Sequence, residues 1–133
     1  MIKYFTFKEL IDTSVQSPNI PNWEEIGNLQ LLGSFLDSVR IEYGKPITVN
    51  SGFRSETVNK AVGGSASSYH RKGLAADIKC PDMKKLRTIL EKHIGQIDQL
   101  GIYTDKNNNL LWFHVGLPTK NNKPRNQIYY EKR

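Results

Sequence analysis

The residues best suited to chemistry are the chain's three histidines, His70, His93 and His114, and the carboxylates near them. His70 opens the run His70-Arg71-Lys72-Gly73-Leu74-Ala75-Ala76-Asp77. With a strand beginning near Leu74, Asp77 and Ala75 share one face and Leu74 and Ala76 the other. A carboxylate among Leu, Ala and Ile is costly to bury unless something positive meets it. A divalent metal answers that need when a histidine lies close by in the loop, and the two alanines leave room for an ion and a substrate. His114 lies inside the apolar run Leu110-Leu111-Trp112-Phe113-His114-Val115-Gly116. Taken alone, such a histidine is either a hydrogen-bonded core residue or a ligand. Two imidazoles and one carboxylate together make a tetrahedral zinc site with its fourth position open to water, the pattern of catalytic zinc. His93 falls in the last turn of an expected helix, where a cation complements the helix dipole, and is read as structural.

The bulk properties narrow the alternatives. A chain of 133 residues is long enough for one domain with its own core, residues 1–133. The single cysteine, Cys80, excludes an internal disulfide and a thiolate cluster, so any metal is held mainly by His and carboxylate. No apolar stretch reaches the length of a membrane span. The segment Met1-Ile2-Lys3-Tyr4-Phe5-Thr6-Phe7-Lys8-Glu9-Leu10 lacks the apolar centre of a signal peptide, so synthesis in the cytoplasm without a secretion signal is expected. The net charge of +6 suits either solubility or attraction to a polyanion. No Lys/Arg run exceeds two residues and no basic stripe is interleaved with aromatics, so no nucleic-acid partner is expected. Nor is a membrane partner, and the expected state is a monomer.

The elements that must position these groups follow from spacing. Thr6 and Glu9 form a capping box, predicting a short helix from Phe7 to about Asp12. Asn22 and Glu25 form another, ahead of Ile26, Leu29, Leu32, Phe35, Leu36, Val39 and Tyr43 at helical spacing; Gly44 and Pro46 end that helix. Ile47 to Asn50 reads as a buried strand leading into the turn Ser51-Gly52-Phe53-Arg54, and Ser55 to Val62 as a short helix. The loop Gly63 to Tyr69 delivers His70, and Leu74 to Lys79 is a strand. Asp82 caps a helix that ends near Gly95. Ile97 to Thr104 and Leu110 to Leu117 form a hairpin around an Asn-rich turn. Gln127 to Tyr130 is a possible edge strand. The class is α+β, with N-terminal helices packed on a small, mainly antiparallel sheet.

A resemblance sharpens this reading. Ser68-Tyr69-His70-Arg71-Lys72-Gly73-Leu74-Ala75-Ala76-Asp77 resembles the S-x-H-x-x-G-x-A-x-D motif of the zinc D-Ala-D-Ala carboxypeptidase family, which shares its fold with Hedgehog signalling domains. The resemblance implies that His70 and Asp77 are zinc ligands and that His114, in Trp112-Phe113-His114, is the third. Ser51-Gly52-Phe53-Arg54-Ser55 is similar to the family's S-G-[YF]-R-S, whose arginine binds the substrate's terminal carboxylate; Asn59 and Gly63-Gly64 also follow the pattern. Taken alone, Arg54 reads as a surface ion pair; the resemblance implies substrate binding. Phe5-Thr6-Phe7-Lys8-Glu9-Leu10 resembles the start of small phage and prophage members.

The sequence departs from the family at the general base. Relatives carry Glu, Asp or His within three residues before the last ligand, where this chain has Leu111, Trp112 and Phe113. Some phage-type members carry an acid after an Asp-Gln-Leu stretch; here Asp98-Gln99-Leu100 is followed by Gly101-Ile102-Tyr103-Thr104. Asp98 is therefore the first candidate for the base, with a strand-end carboxylate in a polar network as the alternative. Tyr103 is the next, as a hydrogen-bond donor to the developing oxyanion. Ser68 either positions substrate or forms the turn. The expected function is zinc-dependent cleavage of peptidoglycan peptide, as carboxypeptidase or endopeptidase, endolysin-like, reaching the wall after release or as a virion component. The alternatives are a zinc-bearing module that binds wall peptide without cutting it, and an adaptor whose basic surface binds nucleic acid.

Overall fold

The computed structural model describes residues 2–133; Met1, where the stretch read as lacking a signal peptide begins, lies outside them. Both capping boxes form. Thr6 caps α1 (Phe7–Ile11) and Asn22 caps α2 (Trp23–Tyr43), each with its Glu side chain returning to the cap's N–H. Such a cap contributes about 1 kcal/mol. α2 ends at Gly44 in the left-handed conformation, φ +81°. β1 (Thr48–Ser51) follows, then α3 (Glu56–Ala61), a 3₁₀ turn (Tyr69–Lys72) and β2 (Ala75–Lys79). α4 (Met83–Lys92) is capped by Asp82 and ends at His93, which pairs with Glu42 of α2 at 2.6 Å, in keeping with its structural reading. β3 (Gln99–Thr104) and β4 (Leu110–Gly116) form the expected hairpin, with Asn108 at φ +65° in its turn. No helix among the described residues is long and apolar enough to cross a membrane.

The strands make a five-stranded sheet in the order β1-β2-β4-β3-β5. All pairs are antiparallel except the last: β5 (Gln127–Lys132) runs parallel to β3 at the edge. The parallel pairing has a simple cause. β4 ends beside the start of β3, since Gly116 pairs with Gln99, and β5 begins there too, since Gln127 also pairs with Gln99. The short segment 117–126 therefore hops past β3 and sends β5 along it. Alternation then divides the sheet. Ala76, Ile78, Leu100, Ile102, Phe113 and Val115 face the core, where they meet Leu29, Leu32, Leu36 and Val39 of α2 and Leu86 and Leu90 of α4. The helices thus cover one sheet face, leaving Asp77, His114 and their neighbours on the other.

Candidate metal centre

Paired residues on adjacent strands present their side chains to the same face, so the exposed face is laid out in cross-strand rows. In the central row Ser51 pairs with Asp77, Asp77 with His114, His114 with Gly101, and Gly101 with Tyr129. A neighbouring row runs from Trp112 through Tyr103 to Glu131. On the other side, Ala75, Gly116 and Gln99 follow one another. Asp77 and His114, far apart in sequence, are therefore adjacent by register.

His70 reaches them from outside the sheet. Ser68 caps its 3₁₀ turn, the His70 N–H donating to Ser68 Oγ at 3.2 Å. The Arg54 N–H donates to the His70 carbonyl at 3.0 Å, tying the turn to the segment after β1. In that segment Gly52 is pressed against the end of α1: a Cβ there would lie 2.2 Å from the Leu10 carbonyl oxygen. The Gly52 carbonyl in turn accepts from His70 Nδ1 at 2.7 Å. Side-chain chemistry at His70 thus depends on a glycine that lets two backbone segments touch.

The three side chains converge. His70 Nε2 lies 3.3 Å and His114 Nδ1 3.0 Å from the same Asp77 oxygen, Oδ1, and one ligand atom from each residue lies within 4.8 Å of the others. The His70 ring is 3% exposed and His114 8%, so water contributes little to their solvation. Because a carbonyl oxygen only accepts, His70 Nδ1 carries the proton and, in the neutral ring, Nε2 presents a lone pair to Asp77. Burial lowers the His70 pKa, with Asp77 opposing only in part, which keeps the ring neutral. A carboxylate oxygen and a nitrogen lone pair therefore face each other at close range, an arrangement that a cation between them resolves. On β3, Gln99 Oε1 lies 3.3 Å from His114 Nε2, so this ring too has its outer nitrogen against an acceptor and its inner one toward Asp77. Anchoring the outer N–H in this way fixes tautomer and ring orientation in metal sites. The donor set fits a divalent ion that takes nitrogen and oxygen ligands.

The cluster lies in a cleft of about 590 Å³ between the sheet face and the segment that carries α3 and the 3₁₀ turn. Arg54 lines it, 17% exposed, with Nη2 3.6 Å from Asp77 Oδ2 and Nε–H donating to Ser51 Oγ at 3.0 Å; it is not a surface ion pair. Ser68 also lines the cleft, with its hydroxyl engaged in capping the turn. Tyr103 lines it too, stacked on Trp112 with ring centroids 4.7 Å apart and its hydroxyl 3.3 Å from that of Tyr129.

Asp98 is a correction. The structure does not bring it to the cluster: it is 2% exposed and held by Arg125, whose N–H and guanidinium donate to it at 2.8–3.2 Å, and by the Tyr69 hydroxyl at 2.8 Å. Burial would raise its pKa, but Arg125 and Tyr69 together lower it below the ordinary range. A carboxylate so well satisfied is a poor proton acceptor, and the alternative of a polar network at the strand end is the one realised.

Four cleft residues escaped the sequence reading: Gln99, Tyr129, Glu131 and Arg133. Gln99 had a signal, since alternation along β3 puts it on the face of Gly101 and Tyr103. Tyr129 and Glu131 had none, because their placement depends on the register of a parallel edge strand. Among the described residues, Glu131 is the carboxylate in the cleft outside the candidate ligand set. Burial, the Tyr103 phenol and the charges of Asp77 and Glu131 hold the Tyr129 hydroxyl far above the usual phenol range.

Comparison with known proteins agrees with this geometry. A stretch of 34 residues is 62% identical to the zinc D-Ala-D-Ala carboxypeptidase of Streptomyces albus G; it makes up 26% of this chain and spans 13% of that protein's length. The profile of the Peptidase M15 family matches residues 3–115, which takes in α1 to α4, β1 to β3, and His70, Asp77 and His114. With that match extending over most of its length, the chain belongs to the Peptidase M15 family.

Proposed function

We propose that the protein is a zinc-dependent peptidase that cleaves the peptide part of bacterial peptidoglycan, with His70, Asp77 and His114 holding the metal. The observation that carries this reading is the approach of two imidazole nitrogens to one carboxylate oxygen, at 3.0 and 3.3 Å, with the His70 proton committed to the Gly52 carbonyl on the far side of the ring. Zinc with three protein ligands supplies a Lewis acid that acidifies water toward a pKa of about 7 and polarises a peptide carbonyl.

The chain's own groups do the rest. Arg54, held by Ser51, presents guanidinium N–H groups to the cleft and clamps a carboxylate of the substrate, fixing which bond reaches the metal. Tyr103 and Trp112 stack into a flat wall against which the peptide lies. Glu131 takes the proton, since Asp77 is a ligand and Asp98 is locked away. Ser68 acts through the turn that carries His70.

Zinc-loaded protein should release D-alanine from a stem pentapeptide ending in D-Ala-D-Ala, or new amino termini from purified peptidoglycan. A chelator should abolish the activity and added zinc restore it. Glu131→Gln should keep its zinc and lose about 10²-fold or more in kcat. One feature favours a second reading, a module that binds wall peptide without cutting it: Leu111, Trp112 and Phe113 offer no proton acceptor on the ligand strand. Stem peptide that binds the zinc-loaded protein and stays intact would establish that reading instead.

A further inference from the structure

β5 lies beyond residue 115, where the family match ends, yet it forms one wall of the cleft. Tyr129 is paired with Gly101, and Gly101 with His114, so all three share a row on the metal-bearing face. Gly101 is what lets the phenol come in. A Cβ there would stand 2.5 Å from both Cζ and the hydroxyl oxygen of Tyr129, so the far end of the ring lies over the glycine. The ring centroid is 6.2 Å from that of His114. The hydroxyl is 3.3 Å from that of Tyr103, itself fixed by stacking on Trp112. Any longer side chain at position 101 would push the phenol out of the row.

We propose that Tyr129 is a catalytic residue: its hydroxyl donates a hydrogen bond to the scissile carbonyl oxygen as that carbon becomes tetrahedral, with the Tyr103 O–H donating to the Tyr129 oxygen from behind to set its direction. The proposal rests on the peptidase reading and adds to it a residue from β5. A phenol is a proton donor at neutral pH and carries no charge of its own, so it stabilises developing negative charge without competing with the ligands for the ion. Donors preset toward the charge that develops in the transition state act on the tetrahedral species more than on the planar peptide. Two phenols joined by one hydrogen bond leave one O–H free to point at the substrate. The Gly101 gap and the Tyr103–Trp112 stack determine where it points.

The test compares two ligands on zinc-loaded protein by calorimetry. One is a D-Ala-D-Ala analogue with a tetrahedral phosphinate in place of the scissile carbonyl, and the other is free D-alanine, which presents a carboxylate but no tetrahedral oxyanion. Tyr129→Phe should bind the phosphinate roughly 10- to 100-fold more weakly, the loss of one hydrogen bond to a charged group. Its zinc content and its affinity for D-alanine should stay within about 3-fold of wild type, the spread expected when no partner is removed. Gly101→Ala, which displaces the ring without removing the hydroxyl, should weaken phosphinate binding in the same direction. Equal phosphinate affinity in wild type and Tyr129→Phe, with wild type cleaving stem peptide, would overturn this assignment alone. Wild-type protein that neither cleaves stem peptide nor binds the phosphinate would overturn the peptidase reading and this assignment with it.

Discussion

His70 and His114 are each held from behind. The Gly52 carbonyl takes the outer N–H of His70, and Gln99 Oε1 stands against the outer nitrogen of His114, so both rings turn their other nitrogen toward Asp77. Removing a group of this kind leaves the ligand in place but lets the ring rotate and change tautomer. Gln99→Ala should therefore weaken zinc binding roughly 10-fold, toward 100-fold if the ring swings fully out of place. Competition with a chromogenic chelator measures this, and unchanged zinc affinity would mean that His114 is oriented by its strand alone. The candidate ligands were legible in the sequence because His70 and Asp77 belong to one short motif and His114 is anomalous in its apolar run. Gln99 was present in the Asp98-Gln99-Leu100 stretch, but its neighbour drew attention because carboxylates are the usual proton acceptors. Alternation from Gly101 assigns the polar face to Gln99 and leaves Asp98 at the strand end, where Arg125 and Tyr69 take it.

β5 and the segment leading into it depend on Asp98. Arg125 donates to that carboxylate through both backbone and side chain, the Gln127 N–H donates to the Asp98 carbonyl at 3.0 Å, and the Asn126 N–H donates to the Ile97 carbonyl at 3.0 Å. Asp98 also receives the Tyr69 hydroxyl, one residue before His70, so one buried carboxylate ties the start of β5 to the turn that carries His70. Asp98→Asn should cost about 1.5–3 kcal/mol at pH 7, the range for hydrogen bonds to a charged group. The sign of the pH dependence follows from its lowered pKa. The folded state binds this proton less readily than the unfolded chain, so the stabilisation is complete above a pH of about 4 and fades as the pH falls below it. Urea denaturation at neutral and acid pH should show the gap between wild type and Asp98→Asn narrowing in acid; a gap equal at both would contradict the charged anchor. The capping boxes, α2 and the hairpin could be read from local spacing. The parallel course of β5 could not, because it follows from where β4 ends in space.

At the scale of the whole molecule, the sheet separates stability from chemistry. Its inner face and the helices form the core, and its outer face carries Asp77, His114, the Tyr103–Trp112 stack and Tyr129. The candidate ligands come from β2, β4 and the 3₁₀ turn, and the cleft is closed by β5 on one side and the segment around Arg54 on the other. A cation at Asp77 would cross-link these parts. X-ray absorption at the zinc edge on protein loaded with one equivalent of zinc is the most direct test. The expected result is stoichiometric zinc with two imidazole nitrogens and a carboxylate oxygen at about 2.0–2.2 Å. A sulfur neighbour at about 2.3 Å, which would implicate Cys80, or a spectrum with a single imidazole would contradict it.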